Sequence, residues 1–333
     1  MPKRGVMASS GFSRKTTNNI ALLDGTSYVL RVLVRRLSAM LSKTEHNLVH
    51  LNGARNIPLE DPLEYAAESG FAGALIWPFK GFGDEEVIAR LTGSLPVVFM
   101  DHKLGGGLGD LVTFDYQQAA FEATSHLIKN GARRIGITGM LDMLDVTHQR
   151  ICGYMKAMFY HGLQPDVRDY VFIHTSGMSV PDTLLLERRL EDADRPDALL
   201  VLQDEFVAPT VESLLKAGIR LPQDMKLVTI GDEIDLTVDG YGLTAIAPDW
   251  DAFASYAVEL LHDRMANPTR DYKTVRAPHR LIVRGLCGSP ESDWTPNPDV
   301  VTGFHGDFPL PRSQYRFSTS WSVVRTDPDH SLQ

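Results

Sequence analysis

The chain predicts an α/β protein of two lobes, each built on a largely parallel sheet covered by helices. Three observations carry that prediction. Short apolar runs alternate with segments of helical spacing over most of the length. The strand candidates are near-continuous apolar runs, as expected of sheets buried on both faces. Finally, 333 residues hold more strands than one sheet comfortably carries, so two lobes are expected.

Residues 1–18 are polar and basic, with Lys3, Arg4, Arg14 and Lys15, and show no periodicity. A disordered arm or linker is expected there. Residues 20–23 are a short apolar run closed by Asp24-Gly25, a buried first strand. Residues 28–41 have helical spacing, with Leu33, Leu37 and Leu41 on one stripe and Val29, Val32 and Met40 on a second flank. A helix apolar on two sides is buried on two sides, within its lobe or against a second subunit. Strands follow at 47–51, 74–77 and 96–100, the last ending at Asp101, with helices at 62–69 and 84–91 between them. Residues 111–114 form a further strand.

The second series has helices at 117–129, 149–161, 180–191 and 207–217, alternating with strands at 134–138, 170–174, 198–202 and 226–230. Helix 250–265 and strand 280–283 complete the folded part. From Gly288 onward proline and serine accumulate and periodicity fades, so residues 288–333 are expected to be an irregular C-terminal extension.

Composition narrows the function classes. With 43% hydrophobic and 23% charged residues the chain is ordinary globular material. A formal charge of −9 argues against a nucleic-acid surface spread over the whole chain. Two cysteines, Cys152 and Cys287, make no disulfide framework, and the reducing cytoplasm is the expected home. No apolar segment or cleavage site follows the basic arm, and no stretch reaches the roughly 18 apolar residues that cross a bilayer. Neither a secretory signal nor a membrane contact is expected.

Three tempting motifs fail on chemistry. Gly105-Gly-Gly-Leu-Gly109 imitates a dinucleotide loop, but a strand follows it where the phosphate geometry needs a helix. His46 and His50 have i,i+4 spacing but lack a suitably placed Glu and a third ligand, so no zinc is expected. Asp232 and Glu233 are adjacent and point apart, which does not make a catalytic acid pair. No nucleophile elbow, metal cluster or phosphate loop stands out. No catalytic residue, metal or cofactor is assigned, and binding is the expected business of the chain.

In an open α/β sheet, ligands collect beyond the carboxyl ends of strands, so polar residues there outrank others. Gln203-Asp204-Glu205 and Gly231-Asp232-Glu233 each close an apolar strand run. Arg150 lies near a helix start after a strand and a polar loop, and its planar fork can serve vicinal hydroxyls or a carboxylate. The plainer alternative is an ion pair with Asp145. Asp232 is an acceptor suited to hydroxyl donors, or else a turn-stabilising Asx. Gln203 can donate and accept. Trp250 can stack on a ring face or wedge between lobes. Phe114, Asp101, Asp115 and Tyr28 stand at strand or helix ends and complete the candidate ligand set.

From about Asn19 to Cys287 the chain resembles the effector-binding region of lactose-repressor (LacI/GalR) type transcription regulators. Six segments carry the likeness in the family's order. They are residues 69–76, 123–137, the Arg150-Ile-Cys-Gly-Tyr154 helix start, 197–205, 218–233, and the closing pair 243–246 and 280–284. The resemblance implies two Rossmann-like lobes of periplasmic-binding-protein type I, joined by three crossovers near 114–115, 245–249 and 276–278, with ligand in the cleft. On that template the N-terminal lobe is 19–115 plus 247–277 and the C-terminal lobe is 116–246 plus 278–287. The departures are Gln203 for the usual Asn, Gly231 for the usual aromatic, and the lack of helix-turn-helix character in residues 1–18.

The resulting expectation is a ligand-sensing domain that binds a sugar or related polyhydroxylated effector and switches by lobe movement. A homodimer is expected, with DNA reached only through a headpiece not present in this chain. The alternatives are a solute-binding protein of a sugar transporter, which a periplasmic location would favour, and an α/β enzyme, which turnover of a ligand would favour.

Overall fold

The computed structural model describes residues 17–24, 29–52, 60–78, 85–102, 109–140, 145–173 and 182–290. Tyr28, the basic arm to residue 16, glycines 105–107 and residues 291–333 lie outside them. Two compact units emerge. One holds the chain to Val112 with Ala254–Val275, the other Thr113–Phe253 with Arg276 onward, so the chain passes between units three times.

Unit 1 is a six-stranded sheet. Its strands are β1 (Asn19–Asp24), β2 (Asn47–Asn52), β3 (Gly73–Ile76), β4 (Val97–Met100), β5 (Asp110–Phe114) and β13 (Thr274–Ala277), in the order β13-β5-β4-β3-β1-β2. Strands β1 to β5 pair parallel, with Ile20 beside Gly73 and Ile76 beside Phe99. Helices α1 (Val29–Leu41), α2 (Glu60–Glu68) and α3 (Glu85–Ser94) connect the first four strands. Both faces of β1 are buried: Ala21 and Leu23 join the cluster with Leu63, Ala66 and Ile88, while Ile20 and Leu22 on the other face have no exposure. That two-sided burial produces the uninterrupted apolar run, and each such side chain contributes roughly 1.5–3 kcal/mol.

Unit 2 carries a second sheet, ordered β14-β12-β9-β8-β6-β7. The strands are β6 (Ile135–Gly139), β7 (Tyr170–Phe172), β8 (Ala198–Val201), β9 (Lys226–Ile230), β12 (Thr244–Pro248) and β14 (His279–Ile282). All pair parallel except β12 with β14, and β10 (Thr237–Val238) with β11 (Tyr241–Gly242) forms a small separate hairpin. The helices are α4 (Tyr116–Lys129), α5 (Asp145–Tyr160), α6 (Leu184–Glu191) and α7 (Val207–Lys216). Along β8, Ala198 and Leu200 pack with Leu127 and Tyr154 of α4 and α5, and the alternate residues Leu199 and Val201 pack with Leu190 and Leu214 of α6 and α7. Helix α8 (Trp250–Ala266) begins in unit 2 and continues into unit 1.

The expected fold class therefore holds, while several elements differ from their expected bounds. Helix α5 begins at Asp145, four residues before the apolar periodicity, because its first turn is polar. Strands β12 and β13 and the hairpin carry Thr, Arg and small residues that show little apolar run. Residues 245–248, placed by the resemblance at a crossover, are paired within β12.

Each unit buries a carboxylate among arginines. In unit 1 Asp110, fully buried, receives Arg264 Nε at 2.8 Å, Arg270 Nη1 at 2.8 Å and the Lys273 N–H at 2.7 Å. Burial alone pushes that carboxyl up, and the hydrogen bonds from Arg264, Arg270 and Lys273 outweigh it and hold the group below its ordinary value. In unit 2 Asp169 is gripped by Arg189 at 2.8 Å and Arg134 at 3.0 Å.

Candidate functional site

Strands β6, β8, β9 and β12 run parallel, so their carboxyl ends share one edge of the unit 2 sheet. Just past those ends stand Gly139–Met140, Gln203–Asp204, Gly231–Glu233 and Asp249–Trp250. This rim gathers most of the sequence-derived candidates.

Gln203 is fastened to the neighbouring strand end. Its Oε1 accepts the Met140 N–H at 3.0 Å, and its Nε2 donates to Met140 O at 3.1 Å and Thr147 Oγ1 at 3.4 Å. The amide thus pairs with a backbone peptide as a strand neighbour does, and both its donor hydrogens are committed. Gly139 permits the contact: its φ is +137°, and a Cβ there would sit 2.3 Å from Gln203 Oε1.

Asp204, next in sequence, is buried, with Oδ2 accepting the Glu233 N–H at 3.0 Å. Burial pushes its carboxyl up to about 7; the Glu233 N–H opposes the shift, and the nearby Glu205, Glu233 and Asp232 charges add to it. Gly231, at φ +110°, lies directly over that carboxyl, and a Cβ would come 2.6 Å from Asp204 Cγ. The glycine that departs from the family's aromatic is therefore required by the acid beneath it.

Asp232 is locked in a two-pronged ion pair with Arg284, at 2.5 Å to Nη1 and 2.7 Å to Nη2. Arg284 also donates to Leu243 O at 2.9 Å. Glu233 accepts the Trp250 indole N–H at 2.7 Å. The Trp250 ring is buried in an aromatic group, 5.2 Å and edge-on to Phe114 and 5.5 Å from Phe253. Phe114 in turn stacks on Phe253 at 4.9 Å and meets Tyr116 edge-on at 5.9 Å. These rings form a floor, with the polar groups set around it.

Arg150 stands at the other end of that floor, its guanidinium carbon 4.7 Å above the Tyr116 ring. The ion pair with Asp145 does not form, because Asp145 Oδ2 accepts from Gln149 at 2.6 Å instead. Arg150 Nε is buried and has no hydrogen-bond partner among the described residues.

Two candidates take structural positions. Asp115 caps α4, its Oδ1 accepting the Gln118 N–H at 2.9 Å. Asp101 ends β4 in unit 1, at φ +77° with its Oδ2 3.1 Å from His102 Nδ1. A non-glycine residue in that left-handed region is uncommon outside turns and sites. Tyr28 lies outside the described residues. Among those residues no group of three or more His, Cys, Asp or Glu could hold a metal ion, and none of their helices is long and apolar enough to cross a membrane.

Sequence reasoning missed Arg284, Tyr116, Thr147 and the depth of Asp204. Arg284 was visible as the end of a motif, but nothing in spacing ties it to Asp232. Tyr116 had a usable signal, an aromatic two residues after Phe114 at a helix start.

Comparison with known proteins places this geometry. Residues 124–287 match the periplasmic binding protein-like domain family. Catabolite control protein A of Priestia megaterium is 24% identical over 274 residues, 82% of each chain. The HTH-type transcriptional repressor PurR of Aliivibrio salmonicida is 26% identical over 205 residues, and the match spans only 60% of each chain. A crystal structure of a LacI family transcriptional regulator from Enterococcus faecium with bound ribose superposes with a TM-score of 0.66 at 21% identity, covering 80% of this chain and 97% of that one. That structural likeness carries the fold.

Proposed function

Because the chain carries the effector-binding domain of a LacI/GalR-type transcription regulator, we propose that it senses a sugar or related polyhydroxylated metabolite at the rim of unit 2. The observation that carries the proposal is the convergence at one sheet edge of a half-buried guanidinium, an oriented carboxylate and an aromatic floor. Those groups recognise hydroxyl and ring surfaces, and Asp232 keeps lone pairs for hydroxyl donors beside its bond to Arg284. The ribose in the Enterococcus faecium regulator supports the ligand class.

On this reading Arg150 and Asp232 bind, Phe114 and Trp250 shape the floor, and Gln203 with Asp204 fixes the strand ends beneath them. The chain is a binding protein of the cytoplasm, not an enzyme. Its output passes to DNA through a headpiece of the helix-turn-helix kind named in the PurR relative. Switching is by movement of one unit against the other, as the resemblance implies. Inverting a two-state population from 1:99 to 99:1 takes about 5.5 kcal/mol of ligand preference for one state. A few charge-assisted hydrogen bonds at about 1.5–3 kcal/mol each, formed in one state only, are sufficient.

The test is calorimetry and thermal shift against a panel of sugars, polyols and purines, with the ligand recovered afterwards. Saturable binding of a sugar or polyol that returns chemically unchanged supports the proposal. A purine as the sole binder, or turnover of the sugar, overturns it.

A further inference from the structure

We propose that the effector of this chain is an oxyanion: a sugar or polyol bearing a carboxylate or phosphate that pairs with Arg150. The inference rests on the sugar-sensing reading above and narrows its ligand class. It follows from how the charges of the unit 2 rim are matched.

The other guanidiniums set into the protein have carboxylates. Arg134 and Arg189 meet Asp169, Arg264 and Arg270 meet Asp110, and Arg284 meets Asp232. Arg150 is half-buried like them, and it forms no ion pair among the described residues. Its one neighbour of note is a ring face, Tyr116, which favours the cation but accepts none of its in-plane hydrogens. Its Nε is buried with no acceptor. A buried donor left unmatched costs free energy that a ligand acceptor restores. A guanidinium is always charged and presents its donors in a planar fork, so the ligand that fits it best offers two anionic oxygens in one plane.

The acids of the rim do not supply that partner. Asp232 is taken by Arg284 and Glu233 by the Trp250 indole, while Asp204 is buried against the Glu233 amide. The alternative pairing with Asp145 is diverted to Gln149. Neutral hydroxyls can hydrogen-bond to Arg150, yet they leave its charge unmatched; an oxyanion matches both.

The experiment compares neutral and anionic forms of one sugar: ribose with ribose 5-phosphate, and glucose with glucuronate and glucose 6-phosphate. Each is titrated by calorimetry into the full chain and into R150K and R150Q, with a thermal melt to establish that each variant is folded. The expected result is at least tenfold tighter binding of an anionic member, a preference kept in part by R150K, lost in R150Q, and weakened by salt. The phosphate and carboxylate arms identify which oxyanion is meant. A neutral member that binds as tightly as its anionic partners, or an anion preference that survives R150Q, overturns the inference and leaves the sugar reading standing. Failure of every sugar in both forms overturns both.

Discussion

Arg150 and Asp232 were both expected to touch ligand, and the structure gives them different supports. Arg150 leans on a ring and is otherwise uncommitted, so Arg150→Ala should weaken effector binding at least tenfold, about 1.4 kcal/mol, with little loss of Tm. Asp232 is half of an ion pair. Asp232→Ala should weaken binding by the same factor and also cost roughly 1–3 kcal/mol of stability, because Arg284 loses its anion. Calorimetry beside denaturant melts separates the two effects; equal stability loss in both variants would contradict this account. Asp204 makes a pH prediction. Its carboxyl is raised from an ordinary 3.8 to about 7, so between those values the folded chain keeps a proton that the unfolded chain has released. Stability from this group is therefore full at low pH, falls as pH rises through that window, and is flat above it. Asp204→Asn should remove that component and melt higher than the parent at pH 8 than at pH 5, relative to the parent at each pH. The positions of Arg150 and Asp232 were legible as polar residues at strand and helix ends. Their partners were not, because Arg284 is 52 residues from Asp232 and pairing across a sheet leaves no local pattern.

Helices and strands repeat that division. Strands β1, β3, β4, β8 and β9 were readable because burial on both faces writes a continuous apolar run into the sequence. Strands β12 and β13 were not: β13, Thr-Val-Arg-Ala, is largely exposed, and β12 draws on small residues. Helix α5 was found by its apolar stripe but begun late. Two elements give direct tests. Asp115→Ala should cost about 0.5–2 kcal/mol through loss of the α4 cap, measurable by urea denaturation, while leaving effector affinity within a few fold. Loss of affinity without loss of stability would return Asp115 to the ligand set. At the α4–α5 crossing a Cβ on Gly153 would sit 2.1 Å from Gln117 O. Gly153→Ala should destabilise by about 1–3 kcal/mol, a fall of roughly 2–10 °C in Tm. An unchanged melt would mean that the two helices do not meet so closely.

For the whole molecule, helix α1 bears on assembly. Leu33, Leu37 and Leu41 are buried in its own unit, while Val32 and Met40 on the second flank stay partly exposed. That flank is the surface on which a homodimer is predicted. Light scattering at micromolar concentration should give twice the chain mass, and Val32→Glu with Met40→Glu should halve it; a monomeric parent sinks the prediction. The fold class at this scale was legible from alternation alone, whereas the way the chain returns to its first unit was legible only through family resemblance. That return has a consequence for biosynthesis. Asp110 is buried by the time the protein is finished, but Arg264 lies 154 residues later, roughly 8–30 s of translation at about 5–20 residues per second. During that interval the nascent first unit has an uncovered sheet edge along β5 and a carboxylate whose counter-cations have not left the ribosome. It is a half-built domain holding a vacant seat, the stage at which a chaperone has most to gain and an arrested ribosome most to lose.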